Sequence, residues 1–222
     1  MCSSDPTSKV HDITVADGRM YVSAWDSGLW IYDMTSVATQ MPTFLGSTPG
    51  DNTHSAWPTD NGDYVVTGEE RSGGGILVFR ITENVGSVTL TLTDQIAFPS
   101  TEAFSVHNQV VEGYRLFNSW YELGLRVYDI DPVTGLLNLY ATYDTPVSAW
   151  GVYPYQPSGV VYVSDMATGF YAFSFSTSIL EGTVTEASTD APIEGATVRT
   201  LDGSKATTTG ADGTYRLYVR SE

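Results

Sequence analysis

One cysteine, Cys2, is all that the sequence offers for covalent cross-linking. No intramolecular disulfide can form, so cysteine pairing says nothing about redox compartment. Basic residues are scarce as well, with 10 Lys and Arg against 26 Asp and Glu and a formal charge of -16. A surface of that sign repels phosphate backbones and anionic lipid heads, which argues against nucleic acid as a partner. No apolar run approaches the ~20 residues of a membrane-spanning helix, so no membrane span is expected in this chain. Nothing apolar precedes Cys2 to act as the core of a signal peptide, and a lipoprotein reading of that cysteine fails. Either Met1 lies inside a longer gene product or an export signal has been removed.

What is present favours β-structure. Val, Thr, Tyr, Phe and Trp are abundant, Gly occurs 21 times and Pro 10 times, and only 16% of residues are charged. That mixture suits short strands joined by tight turns, whereas a helical chain of 222 residues would be richer in Lys, Glu, Ala and Leu. The acids are scattered and 41% of residues are hydrophobic, enough for a core and unlike a disordered acidic tail.

The chain repeats itself. His11, Tyr21, Ser23, Asp26, Gly28, Leu29, Tyr32 and Asp33 align without a gap on His107, Phe117, Ser119, Glu122, Gly124, Leu125, Tyr128 and Asp129. A third copy starts at His54, passes Tyr64 and Glu69 and, after four extra residues, reaches Gly75-Ile-Leu-Val-Phe79. A divergent fourth runs from Trp150 through Tyr162 and Asp165 to Gly169-Phe-Tyr-Ala-Phe173. The starts are 43, 53 and 43 residues apart, close to the ~40–50 residues of a four-stranded propeller blade. Asp17-Gly18 between apolar runs is a hairpin signal, and the first copy is expected to have strands near Ile13–Val15, Met20–Trp25 and Leu29–Tyr32. A fourth strand is expected near Thr43–Gly46, or Leu137–Tyr143 in the copy headed by His107. The predicted fold is therefore all-β, a propeller of about four blades, whole or part of a larger ring.

After Phe175 the aromatic repeats give way to Thr, Ala, Gly and Asp around short Val and Ile positions. The expected organisation is a propeller over residues 1–178 and a small, incomplete β-sandwich over 179–222.

The repeat, with His at its head, Tyr-Val in the second strand and Gly-apolar-x-apolar-Tyr-Asp in the third, resembles the LVIVD-repeat propellers of choice-of-anchor type bacterial surface proteins. That resemblance covers about Val10 to Phe175 and implies a propeller in an extracellular or cell-surface setting, with no settled activity to carry over. The tail, Gly182-Thr-Val184, Ala191-Pro-Ile-Glu-Gly195 and Thr209-Gly-Ala-Asp212-Gly213-Thr-Tyr215, looks like a carboxypeptidase regulatory-like domain. This implies a small sandwich related to carbohydrate-binding folds, used as a stalk, linker or adhesive module.

One offset recurs: His11 and Asp26, His54 and Glu69, His107 and Glu122 are each 15 residues apart, as are Trp150 and Asp165. In a hairpin the start of the first strand and the end of the second share a sheet edge, so each repeat would bring an imidazole and a carboxylate together. Arranged radially, the blades would gather His11, His54, His107, Asp26, Glu69 and Glu122 on one face near the axis. Such a set suits one divalent transition metal, or general acid and base work. The competing reading is that each histidine hydrogen-bonds the adjacent blade and closes the propeller. Trp25, Trp57, Trp120 and Trp150 divide in the same way between a sugar-binding surface and interblade core. Arg71-Ser-Gly-Gly-Gly75 lacks the Lys-Ser/Thr pair of a phosphate loop. No nucleophile-elbow motif is present. Three functions follow: a binding module for protein or carbohydrate at the cell surface, a metal-dependent enzyme, or an anchoring spacer with no ligand if the propeller is an incomplete arc of a longer repeat array.

Overall fold

The computed structural model describes residues 9–220 except 37, 39, 40, 146, 147, 176 and 201–205. Every regular element among them is a strand. In chain order, β1 (Asp12–Ala16), β2 (Arg19–Ser23), β3 (Leu29–Asp33) and β4 (Thr43–Thr48) form the first antiparallel sheet. The second is made of β5 (Thr53–Pro58), β6 (Tyr64–Glu69), β7 (Ile76–Asn84) and β8 (Ser87–Ile96). The third contains β9 (Val106–Glu112), β10 (Arg115–Trp120), β11 (Gly124–Ile130) and β12 (Leu137–Tyr143). A three-stranded sheet follows, of β13 (Ala149–Tyr153), β14 (Val160–Asp165) and β15 (Gly169–Ser174). Strands pair in sequence order within each sheet, and β1 lies beside β5 and β5 beside β9. These are the blades of a propeller with the first strand of each blade innermost.

Local chemistry accounts for the joints. Asp17 and Gly18 both take positive φ, 46° and 73°, which gives the β1–β2 hairpin a two-residue turn whose twist matches its strands. Gly28 and Gly124, the glycines that open the repeated third-strand motif, have φ of +77° and +74°. A Cβ there would stand 2.1 Å from the Thr48 carbonyl oxygen or 2.3 Å from that of Tyr143, so the close return of the fourth strand requires glycine in both blades.

Strand alternation then makes the core. Leu29 and Ile31 of β3 are fully buried and pack with Ala56, Val65 and Phe79 of the next blade. Ile76 and Val78 of β7 pack in turn with Val106, Leu116 and Trp120. The first and second blades therefore each bury one face of the sheet against the following one, and neither is a self-sufficient unit.

The chain separates into two compact units, one running to Val152 together with Val163–Tyr171, the other comprising Tyr153–Tyr162 and Ala172–Glu222. Within the second, β16 (Thr177–Thr183) pairs with β19 (Thr214–Arg220), and β17 (Thr197–Arg199) pairs with β18 (Ala206–Thr208). The Asp212 carboxylate accepts the Thr214 N–H at 3.0 Å and its hydroxyl at 2.7 Å, which fixes the turn leading into β19.

Candidate functional site

The three histidines occupy one register of the innermost strands. His54 and His107 are the second residues of β5 and β9, Trp150 is the second residue of β13, and His11 immediately precedes β1. The blades thereby stack these rings into a row. Trp25 lies on His11 with centroids 5.1 Å apart, His11 meets His54 at 4.1 Å, His54 meets His107 at 4.4 Å, and His107 meets Trp150 at 3.8 Å. Tyr121 closes edge-on against His107 at 5.0 Å.

Hydrogen bonds lock the row from blade to blade. His11 Nδ1 lies 3.1 Å from the His54 carbonyl, and His107 Nδ1 lies 2.5 Å from the Trp150 carbonyl. A carbonyl only accepts, so both imidazoles donate from Nδ1 and keep the lone pair on Nε2. At the middle step the Ser55 hydroxyl reaches the His107 carbonyl at 3.3 Å, while Gln109 Nε2 donates back to the Ser55 carbonyl at 2.5 Å. The expected blade-closing hydrogen bonds are therefore present for His11 and His107.

The carboxylates at the repeated offset face elsewhere. Glu122 Oε2 accepts the Ser105 N–H at 3.0 Å and Asp165 Oδ2 accepts the Ser148 N–H at 2.8 Å, in each case two residues ahead of the ring that heads the blade. Glu69 accepts the Asp51 N–H at 3.3 Å and pairs with Arg71 at 2.9 Å. Asp26 is exposed. Glu69, Glu122 and Asp165 thus hold the segments that lead into β5, β9 and β13. Burial pushes the Asp165 carboxyl up, but hydrogen bonds from Ser148, Ala167 and Thr168 outweigh it and leave the group well below its ordinary value.

The acid that meets the histidines is Glu70. Its Oε2 lies 3.5 Å from His54 Nε2, and its Oε1 accepts the Tyr121 hydroxyl at 2.6 Å. Its backbone is held by Asn52, which accepts the Glu70 N–H at 2.9 Å and donates from Nδ2 to the Glu70 carbonyl at 3.2 Å. The repeat register points to Glu69. A bulge between Thr53 and Ser55 makes His54 the extra residue opposite Glu69 and Gly68, and so re-aims the pair. The signal that could have found it is the Glu69-Glu70 doublet itself. Among the described residues, the group of metal-capable side chains with ligating atoms all within 4.8 Å of one another is His11, His54 and Glu70, with His107 outside it.

Burial dominates the electrostatics. It pushes His54 down to about 4, helped by His107 and His11 and opposed by Glu70. His107 is likewise lowered by burial, with the Trp150 carbonyl working the other way. Both imidazoles are neutral at pH 7, the state that presents a free lone pair. Burial and the hydrogen bond to Glu70 raise the Tyr121 phenol, which stays a donor. The tryptophans divide: Trp120 is fully buried, Trp57 packs against the core, Trp25 is half-buried and Trp150 is 42% exposed.

No protein family matches the chain by sequence, and no curated protein does so. Solved structures match by shape. The β-propeller domain of Cps50 (Swd1) from Myceliophteria thermophila aligns with a TM-score of 0.56 at 13% identity over 75% of this chain and 54% of its own. The propeller of Dos1 gives 0.52 at 14% identity over 97% and 59%. PpgL, a periplasmic gluconolactonase of Pseudomonas aeruginosa, gives 0.57 at 14% identity over 94% and 56%. The chain spans little more than half the length of each of these three. At such identities the likeness establishes the fold: this is a β-propeller arrangement of four blades.

Proposed function

We propose that the chain is an interaction module of an extracellular or cell-surface protein, in which the propeller surface around Trp150 binds a protein or carbohydrate ligand and residues 179–222 serve as a stalk. The observation that carries the reading is the state of Trp150. The residue is 42% exposed, yet the His107 ring lies tilted against its indole with centroids 3.8 Å apart, and its carbonyl is held by His107 Nδ1 at 2.5 Å and Ser119 Oγ at 2.9 Å. An exposed aromatic braced in advance loses little freedom on binding, which is the property of an interface anchor. Tyr121 lies 5.8 Å from the indole, adding a second ring and, through its bonded Glu70, an acceptor. An indole face with polar neighbours suits the C–H face of a sugar or an apolar side chain. The formal charge of -16 favours a neutral or basic ligand.

Binding to a glycan array and to a set of purified extracellular proteins tests this. Ligands retained by the wild type should lose at least about tenfold in affinity with Trp150→Ala, at unchanged circular dichroism. Equal binding by the variant overturns the proposal. A metal-dependent enzyme is the second reading, favoured by the approach of His11, His54 and Glu70 to within 4.8 Å of one another.

A further inference from the structure

We propose that His11, His54 and Glu70 form a site for one divalent transition ion of the zinc, cobalt or nickel kind, whether or not Trp150 anchors a ligand. Three independent features point to it.

The first is the donor set. Two imidazoles and one carboxylate suit borderline ions rather than calcium or magnesium, which prefer oxygen alone. The ligating atoms of the three residues lie within 4.8 Å of one another, and His54 Nε2 is 3.5 Å from Glu70 Oε2. Ligands held at ~2.0–2.2 Å around a tetrahedral ion stand roughly 3.3–3.5 Å apart, so the His54–Glu70 edge already has the required length.

The second is the surrounding hydrogen bonding. A histidine that ligates through one nitrogen almost always donates the other N–H to a fixed acceptor, and ligating carboxylates are themselves hydrogen-bonded. His11 donates Nδ1–H to the His54 carbonyl, which turns its basic nitrogen away from the backbone. Glu70 Oε1 accepts the Tyr121 hydroxyl at 2.6 Å, leaving Oε2 toward His54. Tyr121 is thus a positioning residue for the carboxylate.

The third is position. His54 is buried while His11 is exposed and Glu70 half-buried, so the donors line a path from solvent to a rigid ring. Each ligand comes from a different part of the sheet system: one precedes β1, one is in β5 and one follows β6. An ion there would tie the first blade to the second.

The test is a titration of the full, EDTA-treated chain with zinc ions against a chromophoric chelator, repeated with cobalt for its ligand-field absorption. Wild type should take up one equivalent with a tetrahedral cobalt spectrum. Glu70→Gln, which keeps shape and volume, and His11→Asn, at an exposed position, should each weaken binding at least about a hundredfold, and Tyr121→Phe by about 10–100-fold. Glu69→Gln should bind as wild type, because that carboxylate is committed to Arg71. Zinc should also raise the melting temperature of wild type and not that of Glu70→Gln. Failure of the wild type to bind one equivalent overturns the site, as does wild-type binding by Glu70→Gln or an equal loss in Glu69→Gln.

Discussion

His107→Ala should be more damaging than His11→Ala. The ring is 3% exposed, stacked between His54 at 4.4 Å and Trp150 at 3.8 Å, and its Nδ1–H is bonded to the Trp150 carbonyl. Two ring contacts contribute ~1–2 kcal/mol. The lost hydrogen bond contributes ~1 kcal/mol, near the lower end because Ser119 Oγ still satisfies that carbonyl at 2.9 Å. The void left behind adds ~1 kcal/mol. About 3–4 kcal/mol in all should lower the melting temperature by roughly 6–16 °C in a chain of this size. His11→Ala removes an exposed ring with one carbonyl bond and contacts to Trp25 and His54, leaves no buried void, and should cost less, about 1–2 kcal/mol. Thermal unfolding followed by circular dichroism in EDTA separates the two without interference from bound metal. Equal losses for both variants, or a change under about 0.5 kcal/mol for His107→Ala, would refute the interblade role of the row.

Gly28→Ala and Gly124→Ala combine a positive φ with a Cβ 2.1 or 2.3 Å from a carbonyl oxygen, and should each cost more than about 2 kcal/mol in urea unfolding. Gly18→Ala meets only a Thr35 methyl at 3.0 Å and should cost less. Asp165 has a depressed folded pKa, so its stabilisation is present above the ordinary carboxyl range and is lost as pH falls through the folded value. Asp165→Asn should thus be less stable than wild type at pH 7, with the gap narrowing below about pH 4. His54 acts in the same direction over a higher window: its folded value of about 4 lies under the ordinary 6.5, so the unfolded chain takes up protons first and the metal-free protein should lose stability as pH falls between the two. His54→Gln should flatten this slope. Ile13 on β1 is 50% exposed and Phe170 on β15 is 74% exposed, whereas the corresponding Ala56, Gln109, Leu29 and Leu125 are buried. The end blades therefore present sheet faces that inner blades cover, and sedimentation should show concentration-dependent self-association that Phe170→Glu reduces.

The blades were legible because the repeat constrains them many times over. Turn glycines, alternating apolar residues and the head residue recur in one register, and the expected strands at Leu29–Tyr32 and Leu137–Tyr143 agree with β3 and β12. The gathering of His11, His54 and His107 was legible for the same reason, since equivalent positions on neighbouring blades must be neighbours. The carboxylate partner was not. Offset counting assumes an unbroken pairing, but register shifts at His54 and His107 insert a residue into the inner strand, and a one-residue slip changes which side chain faces the ring. Hence Glu69 and Glu122 bind backbone amides while Glu70 approaches the imidazoles. The split among the tryptophans was equally hidden: Trp120 and Trp150 are both strand aromatics, but Trp120 packs under Ile76, Val78 and Phe98 ahead of it in the chain while Trp150 stays 42% exposed.

The row of rings is tested most directly by long-range proton–nitrogen correlation spectra of the histidine side chains in metal-free protein. His11 and His107 should donate from Nδ1 to their carbonyl partners, and His54 should remain neutral until about pH 4. Protons on Nε2 of His11 and His107, with His54 titrating near 6.5, would contradict this arrangement.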